Sequence, residues 1–445
     1  MRQTILKLFD DLLRSVSFDR LFAKQPDLLE EISKRHAFAE ANNCQTRLVA
    51  IGKSANDMTM QLANSCHLPG HVSGIIVTPY RPGAGPATQA FNPSIPSTLP
   101  FPPNWELKLH VSGHPLPNQV SLEAAEEALK LVSNSQEHDL TIFLISGGAS
   151  AAFELPVSPE ITLGDLQKTY QLLILKCQNI DEINSVRMAI SRVKAGRLAV
   201  AAYPSQQFTL LISDVENELA AIGSGPTMYF PDNHSESVQD IVDKYQLREL
   251  LPKSVLNSLD SEHERIFKDD PRLSNSQWHC LASNLDLLEN LQHLCRQLGW
   301  EAVIDTSCDH MPVEESAPRL IEKLESHQGQ TPFAIISGGE MVSRFSEQAT
   351  GQGGRNSAFV METVELIAGK RIAIGSWASD GRDGSGQGGA YADSDSLRRG
   401  IELGLNLSEF RDNCDSFGYF NHLNDALICE PTHHNLRDAR VLVKY

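Results

Sequence analysis

Short apolar runs recur along the chain, each closing on glycine, serine or aspartate, and most lead into a segment with helical spacing. They are RLVAIG (47–52), SGIIVTPY (73–80), ELKLHVSG (106–113), LTIFLISGG (140–148), FTLLISD (208–214), PFAIISGGE (332–340) and RIAIGSW (371–377). Runs that are continuous rather than alternating predict strands covered on both faces, as in parallel sheets. Apolar positions at threes and fours predict helices over 4–40 (Ile5, Leu6, Phe9, Leu12, Leu13), 120–132, 183–202 and 284–299, and 54–66 is helix-compatible. Strands alternating with helices predict an α/β fold with mostly parallel sheets.

Two segments break the alternation. Residues 79–103 hold eight prolines and read as a long irregular loop. The polar, Asp-rich stretch 258–277 reads as a linker, dividing the chain into 1–260 and 275–445. An echo between FLISGGAS (143–150) and AIISGGEM (334–341) hints at two related halves, although four shared residues also arise by chance.

Composition narrows the function classes. Across 445 residues, 41% hydrophobic and 21% charged, the chain supports a sizeable core. Its 38 Lys+Arg against 56 Asp+Glu give a formal net charge of -18, which disfavours generic binding to nucleic acid or anionic lipid. No apolar stretch approaches the roughly 18 residues of a membrane span. The N-terminus lacks a signal peptide's uninterrupted apolar core. The eight cysteines are scattered without a CxxC pair and read as reduced thiols. A cytoplasmic location is therefore expected.

Five groups of residues carry candidate chemistry. Gly52-Lys53-Ser54 ends a strand and opens a helix, where free N–H groups suit an anion and a lysine can reach a phosphoryl group. It is not a P-loop, because Arg47 stands where that motif needs glycine. An exposed lysine opening an ordinary helix is the alternative. Three Ser-Gly turns follow strands: Ser146-Gly147-Gly148-Ala149-Ser150, Gly223-Ser224-Gly225 and Ser337-Gly338-Gly339-Glu340. Together they predict a polyanion site beyond the strand ends. On a continuous helix over 183–202, Arg187, Ser191 and Lys194 share one face, as a clamp for carboxylate or phosphate or as a solvated basic face. Asp214, Glu340, Asp380 and Asp383 offer oxygen ligands for Mg2+, or act as turn formers and caps. Arg355-Asn356 closes the glycine-rich Gly351–Gly354, where an arginine can neutralise a phosphoryl group in transfer or simply face solvent. Gly384, Gly386 and Gly389 fit G-x-G-x-x-G only loosely, and His433-His434 makes a weak metal pair.

Nine ordered blocks carry a resemblance that covers nearly the whole chain. They are AIGKSA (50–55), SGHPLPNQ (112–119), LISGGAS (144–150), INSVRMAISRVKAGRLA (183–199), ISDVENELAAIGSGPT (212–227), SGGE (337–340), GQGGRNSAF (351–359), ASDGRDGSG (378–386) and DSFGYF (415–420). In this order they resemble the MOFRL-type glycerate kinases, which phosphorylate glycerate at its 2-hydroxyl. The resemblance implies a Rossmann-like N-terminal domain with a largely parallel sheet, a smaller C-terminal α/β domain and an active site between them. It also implies ATP and a divalent metal, with Lys53 and Arg355 as the catalytic pair. Ser54, Ser146, Gly147, Gly148, Ser150, Arg187, Lys194, Ser224, Gly225, Ser337, Gly338, Gly339 and Asn356 would then hold substrate or phosphate. Asp214, Glu340, Asp380 and Asp383 would supply Mg2+ ligands. The partner would be a small hydroxy acid, and a homodimer is left open.

The departures are Met188-Ala189 after Arg187, Glu216-Asn217-Glu218, Ala149 for a third glycine, and 430–435 for a GPTGTN-like turn. They motivate another sugar acid as acceptor. A nicotinamide-dependent hydroxypyruvate reductase and a non-catalytic nucleotide binder are the remaining alternatives.

Overall fold

The structure is a computed structural model that describes residues 1–79, 101–177, 179–213, 219–229, 237–261, 263–329, 332–343, 349–384, 388–429, 432 and 435–445. Most of the proline-rich 79–103 segment, Asp214, Glu216–Glu218, Gly386 and His433-His434 lie outside the described residues. The chain forms two compact units, Leu21–Leu281 and Met1–Arg20 together with Ala282–Tyr445.

The first unit is built on β1 (Thr46–Ile51), β2 (Val72–Thr78), β3 (Trp105–Val111), β4 (Leu140–Ile145), β5 (Gln206–Ile212) and β6 (Ser276–Ala282). They lie in the order β3-β2-β1-β4-β5-β6. β1 runs parallel to β2 and β4, β2 to β3, and β4 to β5. Every residue of β1 and β4 is buried, which is why both read as unbroken apolar runs. Val49, Ile51, Phe143 and Ile145 share a core with Ala124, Ala125 and Ala128 of the helix Gln119–Val132, whose alanine face lets it lie close to the sheet. The chain leaves β1 outward through β2 and β3, then returns to β4 on the other side of β1. This reversal opens a crevice beyond the carboxyl ends of β1 and β4, the place where open α/β sheets bind ligands.

The second unit holds β7 (Glu301–Ile304), β8 (Phe333–Gly338), β9 (Ile372–Ala378), β10 (Gly389–Asp393), β11 (Ala426–Leu427) and β12 (Asp438–Lys444). Their order is β11-β10-β9-β12-β8-β7. Only β7 and β8 are parallel; β12 runs antiparallel to both β8 and β9, and β10 antiparallel to β9 and β11. The expectation of mostly parallel sheets therefore holds for the first unit alone. The reason is two strands, β12 in the middle of the sheet and β10 towards its edge, each of which runs against both of its neighbours.

Two features differ from the sequence reading. The helix Arg2–Ser15, grouped by the sequence with residues up to 260, packs in the second unit. Phe9 meets Trp377 at 5.1 Å between ring centroids, and Arg2 Nε donates to Asp425 Oδ1 at 3.0 Å. Nor is 258–277 a free linker. Ile266 and Leu273 are buried against Ala199, Arg197 donates to the Glu264 carbonyl at 2.8 Å, and the segment ends in β6 on the first sheet. Its polar residues masked these two apolar anchors.

Phe9→Ala should destabilise the second unit by about 3–5 kcal/mol, the usual cost of removing a buried aromatic ring. Urea denaturation followed by tryptophan fluorescence measures this. An unchanged midpoint would show that the helix does not support the sheet.

Candidate functional site

In the first unit, the strand ends hold each other. Lys53 N–H donates to the Gly147 carbonyl at 2.9 Å, and Ser54 N–H to the Ser146 hydroxyl at 3.0 Å. The approach is tight enough that Gly52 must be glycine: its φ is +116°, and a Cβ would lie 2.4 Å from the Ser146 carbonyl oxygen. Lys53 is thereby fixed at the crevice, and Ser54 begins the helix Ala55–Ser65. The Gly223–Gly225 turn joins this group, with Ser150 and Ser224 hydroxyls 3.0 Å apart and Ser224 donating to Asn184 Oδ1 at 3.0 Å. The Gly225 carbonyl accepts from Gly196 N–H at 2.8 Å, so it braces the turn.

The 183–202 segment is not one helix. The helix Ile180–Ala189 ends at Ala189, Ser191 forms a bridge with Pro156, and a second helix starts only at Arg197. The shared face expected for Arg187, Ser191 and Lys194 therefore does not exist. Arg187, in the last helical turn, is buried with its guanidinium carbon 4.4 Å from the centroid of the Tyr170 ring. Its Nε is buried without a hydrogen-bond partner. Burial lowers its pKa, against the opposing pull of Tyr170 and Glu154. Lys194 lies behind, fully buried, with Nζ 2.8 Å from Glu154 Oε2 and 2.9 Å from the Phe153 carbonyl oxygen. Its charge is committed to this internal pair, which also takes the Tyr170 hydroxyl. Of the two cations expected to form a clamp, only Arg187 retains a buried donor without a partner.

The second unit carries a different cluster. Arg355 opens the helix Arg355–Thr363 and donates from Nε to Asp438 Oδ2 at 2.5 Å and from Nη2 to Glu340 Oε1 at 2.7 Å. Desolvation works against its charge, but Asp438 and Glu340 more than offset this and raise its pKa. Asp438 also accepts from Arg440 at 3.0 Å, and Arg440 in turn donates to the carbonyls of Gly338 at 2.8 Å and Gly339 at 3.2 Å. Asn284 accepts from Gly339 N–H at 3.1 Å and donates to the Leu436 carbonyl at 2.6 Å, tying the turn after β8 to the start of β12. Glycine is required at 339, where φ is +79° and a Cβ would meet the Asp309 carboxylate at 2.2 Å. The Ser337 hydroxyl is buried without a partner.

The four carboxylates expected as metal ligands are placed differently. Asp383 is buried and accepts from the N–H groups of Asn356 at 2.9 Å and Ser357 at 2.8 Å, so it caps the helix that starts at Arg355. Burial raises its pKa despite these donors. Glu340 faces Arg355, Asp380 accepts from Arg382 N–H at 3.0 Å, and Asp214 is outside the described residues. Among the described residues no three His, Cys, Asp or Glu side chains gather as a metal site. Asn356 uses its Oδ1 to accept from Ser376 at 2.6 Å, an internal role.

Sequence reasoning missed Asp438, Arg440, Asn284 and His114. The alternation in DARVLVK places Asp438 and Arg440 on one face of a strand, a signal that was available. His114, in SGHPLPNQ (112–119), has no partner near it in the sequence to single it out.

Residues 4–260 match the family described as "Domain of unknown function (DUF4147)", and residues 333–438 match the MOFRL family. The chain belongs to the MOFRL-type glycerate kinase family. A "D-glycerate 2-kinase" of Thermotoga maritima is 28% identical over 403 residues, covering 88% of each chain. A "Putative hydroxypyruvate reductase" of Agrobacterium vitis is 29% identical, over 77% of this chain and 89% of its own. A crystal structure of a Thermotoga maritima glycerate kinase matches with a TM-score of 0.79 at 24% identity, covering 100% of this chain and 99% of its own. The MOFRL-type glycerate kinase fold thus extends over both units. Among the described residues no helix is long and apolar enough to cross a membrane.

Two substitutions near Arg355 separate charge balance from capping. Asp438→Ala leaves buried Arg440 uncompensated and should cost about 3–5 kcal/mol. Asp383→Ala leaves two helix-start N–H groups unmet and should cost about 1–3 kcal/mol. Urea denaturation of both variants checks the order, which a larger loss in Asp383→Ala would reverse.

Proposed function

We propose that this protein is an ATP-dependent kinase that transfers the γ-phosphoryl group to the 2-hydroxyl of D-glycerate, giving 2-phosphoglycerate and ADP. The observation that carries the reading is the crevice at the ends of β1 and β4. There Lys53 is fixed by the Gly147 carbonyl, and Arg187 presents a buried Nε without a partner. Two cations so placed in a chain of net charge -18 suit a small anion held against serine hydroxyls and turn N–H groups. The naming of the Thermotoga maritima relative as a D-glycerate 2-kinase supports the choice of acceptor.

In this reading Lys53 neutralises charge on the phosphoryl group in transfer, and Arg187 holds the carboxylate of the acid, where a planar guanidinium matches a planar acceptor. Arg355, held in place by Asp438 and Glu340, is assigned to phosphoryl transfer as well. Phosphoryl transfer depends chiefly on position and charge, which is what these side chains supply. Mg2+ fits best as an ion carried on the ATP phosphates, because Asp383 and Glu340 already serve a helix cap and Arg355; such a metal neutralises phosphate charge. The enzyme is expected to act in the cytoplasm; a homodimer is an open expectation.

A coupled assay for ADP release with ATP, Mg2+ and a panel of 2-hydroxy acids tests the acceptor, with product analysis separating 2- from 3-phosphoglycerate. Absence of glycerate-dependent ADP would overturn it, and a longer sugar acid as the best substrate would reassign it. The name of the Agrobacterium vitis relative makes NAD(P)H oxidation with hydroxypyruvate the matching control. In the same assay Lys53→Ala and Arg355→Ala should each lower kcat by roughly 10²–10³-fold. Arg187→Ala should act mainly by raising the KM for glycerate; wild-type kinetics in any of the three would remove that residue's role.

A further inference from the structure

His114 follows β3 and reaches the same crevice from the side opposite β4's neighbour β5. A Cβ built on Gly148 would lie 3.3 Å from His114 Cδ2, 3.5 Å from its Nε2 and 3.1 Å from Lys53 Cγ. The imidazole and the lysine stem therefore flank the same backbone turn. Among the described residues neither ring nitrogen engages in a hydrogen bond with the protein. The charged groups that act on the ring are Lys53, beyond β1, and Arg187, at the end of its helix. Glu154, the carboxylate that acts on Arg187, is occupied by Lys194 and Tyr170. The ring keeps an open face to solvent, yet crowding by neighbouring atoms first, and repulsion from Lys53 and Arg187 second, push it down to about 4. At neutral pH it is an uncharged imidazole with a lone pair available.

We propose that His114 accepts the proton of the attacking hydroxyl, and does so once an anion occupies the positions beside Lys53 and Arg187. The inference rests on the kinase reading above. In the step, the substrate hydroxyl oxygen bonds to the γ-phosphorus while its proton passes to a ring nitrogen of His114. The bond from the γ-phosphorus to the β–γ bridging oxygen breaks, and ADP leaves with that electron pair. The imidazolium then returns the proton to water. Lys53 is a poor candidate for this role because its amine is a cation, and Glu154 because it is buried in another pair. A carboxylate and phosphates beside the two cations offset the repulsion that weakens the imidazole as a base, so the base gains strength when both substrates are present.

Kinetics and NMR test this on the full-length protein. His114→Gln should lower kcat by about 10²-fold or more, as loss of a general base does. It should leave the KM for ATP within about threefold and abolish the acid limb of the kcat–pH profile. In histidine-labelled protein, with the His114 signal assigned by its loss in His114→Gln, the wild-type ring should titrate near 4. Lys53→Met should move that titration up, and saturating D-glycerate with a non-hydrolysable ATP analogue should move it the same way in the wild type. A kcat within threefold of wild type in His114→Gln, or an unchanged acid limb, would overturn the proposal. A His114 titration that ignores both Lys53→Met and the ligands would do the same. If the wild type releases no ADP with glycerate, the kinase reading fails by itself, and the titration in Lys53→Met then decides whether His114 and Lys53 are coupled.

Discussion

The hydrogen bonds that join the ends of β1 and β4 set the geometry on which the first unit's chemistry depends. Parallel strands on either side of a topological reversal splay their outgoing chains apart, and without a tie the two turns would be independent loops. The Gly147 carbonyl and the Ser146 hydroxyl hold the backbone of Lys53 and Ser54 instead, in a gap that admits no side chain at Gly52. The Lys53 side chain can then be long and mobile while its root stays fixed. Ser150 and Ser224 extend the same tie to a third turn.

Both units use buried ion pairs, and each makes a cation serve a different end. In the first, Glu154 takes Lys194 inside and leaves Arg187 stacked on Tyr170 with an unmet donor. Desolvation of that kind costs several kcal/mol unless something pairs with it, which makes an anionic ligand the natural complement. In the second, Asp438 binds Arg355 on one side and Arg440 on the other. Arg440 is sealed in the core, whereas Arg355 keeps about a third of its side chain accessible. One carboxylate thus orients an accessible arginine by anchoring a buried one.

The seven apolar runs read from the sequence all become strands, and the helices over 4–40, 54–66, 120–132 and 284–299 are present, the first broken into three. What stayed hidden has physical causes. β7 and β11 are too short to carry a pattern, and β12 looks like a charged tail until its alternation is noticed. The 183–202 helix fails because tertiary pairing of Ser191 with Pro156 and a left-handed Gly196 override local propensity. At the site, Lys53 and the Ser-Gly turns were legible as candidates because strand ends mark themselves with glycine, Arg355 because it closes a glycine-rich loop, and Arg187 because it stands in a segment with helical spacing. Asp383 was legible only as a carboxylate near a turn; that it caps a helix 28 residues earlier depends on folding. His114 and Asp438 acquire their roles from neighbours distant in sequence, which no local pattern encodes.

The helix Arg2–Ser15 is separated from its partner Trp377 by most of the chain. At a synthesis rate of about 5–20 residues per second, the roughly 370 intervening residues take on the order of 20–70 s to appear. Throughout that time Ile5, Leu8, Phe9 and Leu12 have no sheet to cover them, while the first unit can already close around its own core. The second sheet itself waits for β12, its central strand and the last to emerge. A nascent chain therefore carries an exposed amphipathic helix beside a finished domain, a natural handle for a chaperone and a route by which one chain's helix could dock on another's sheet.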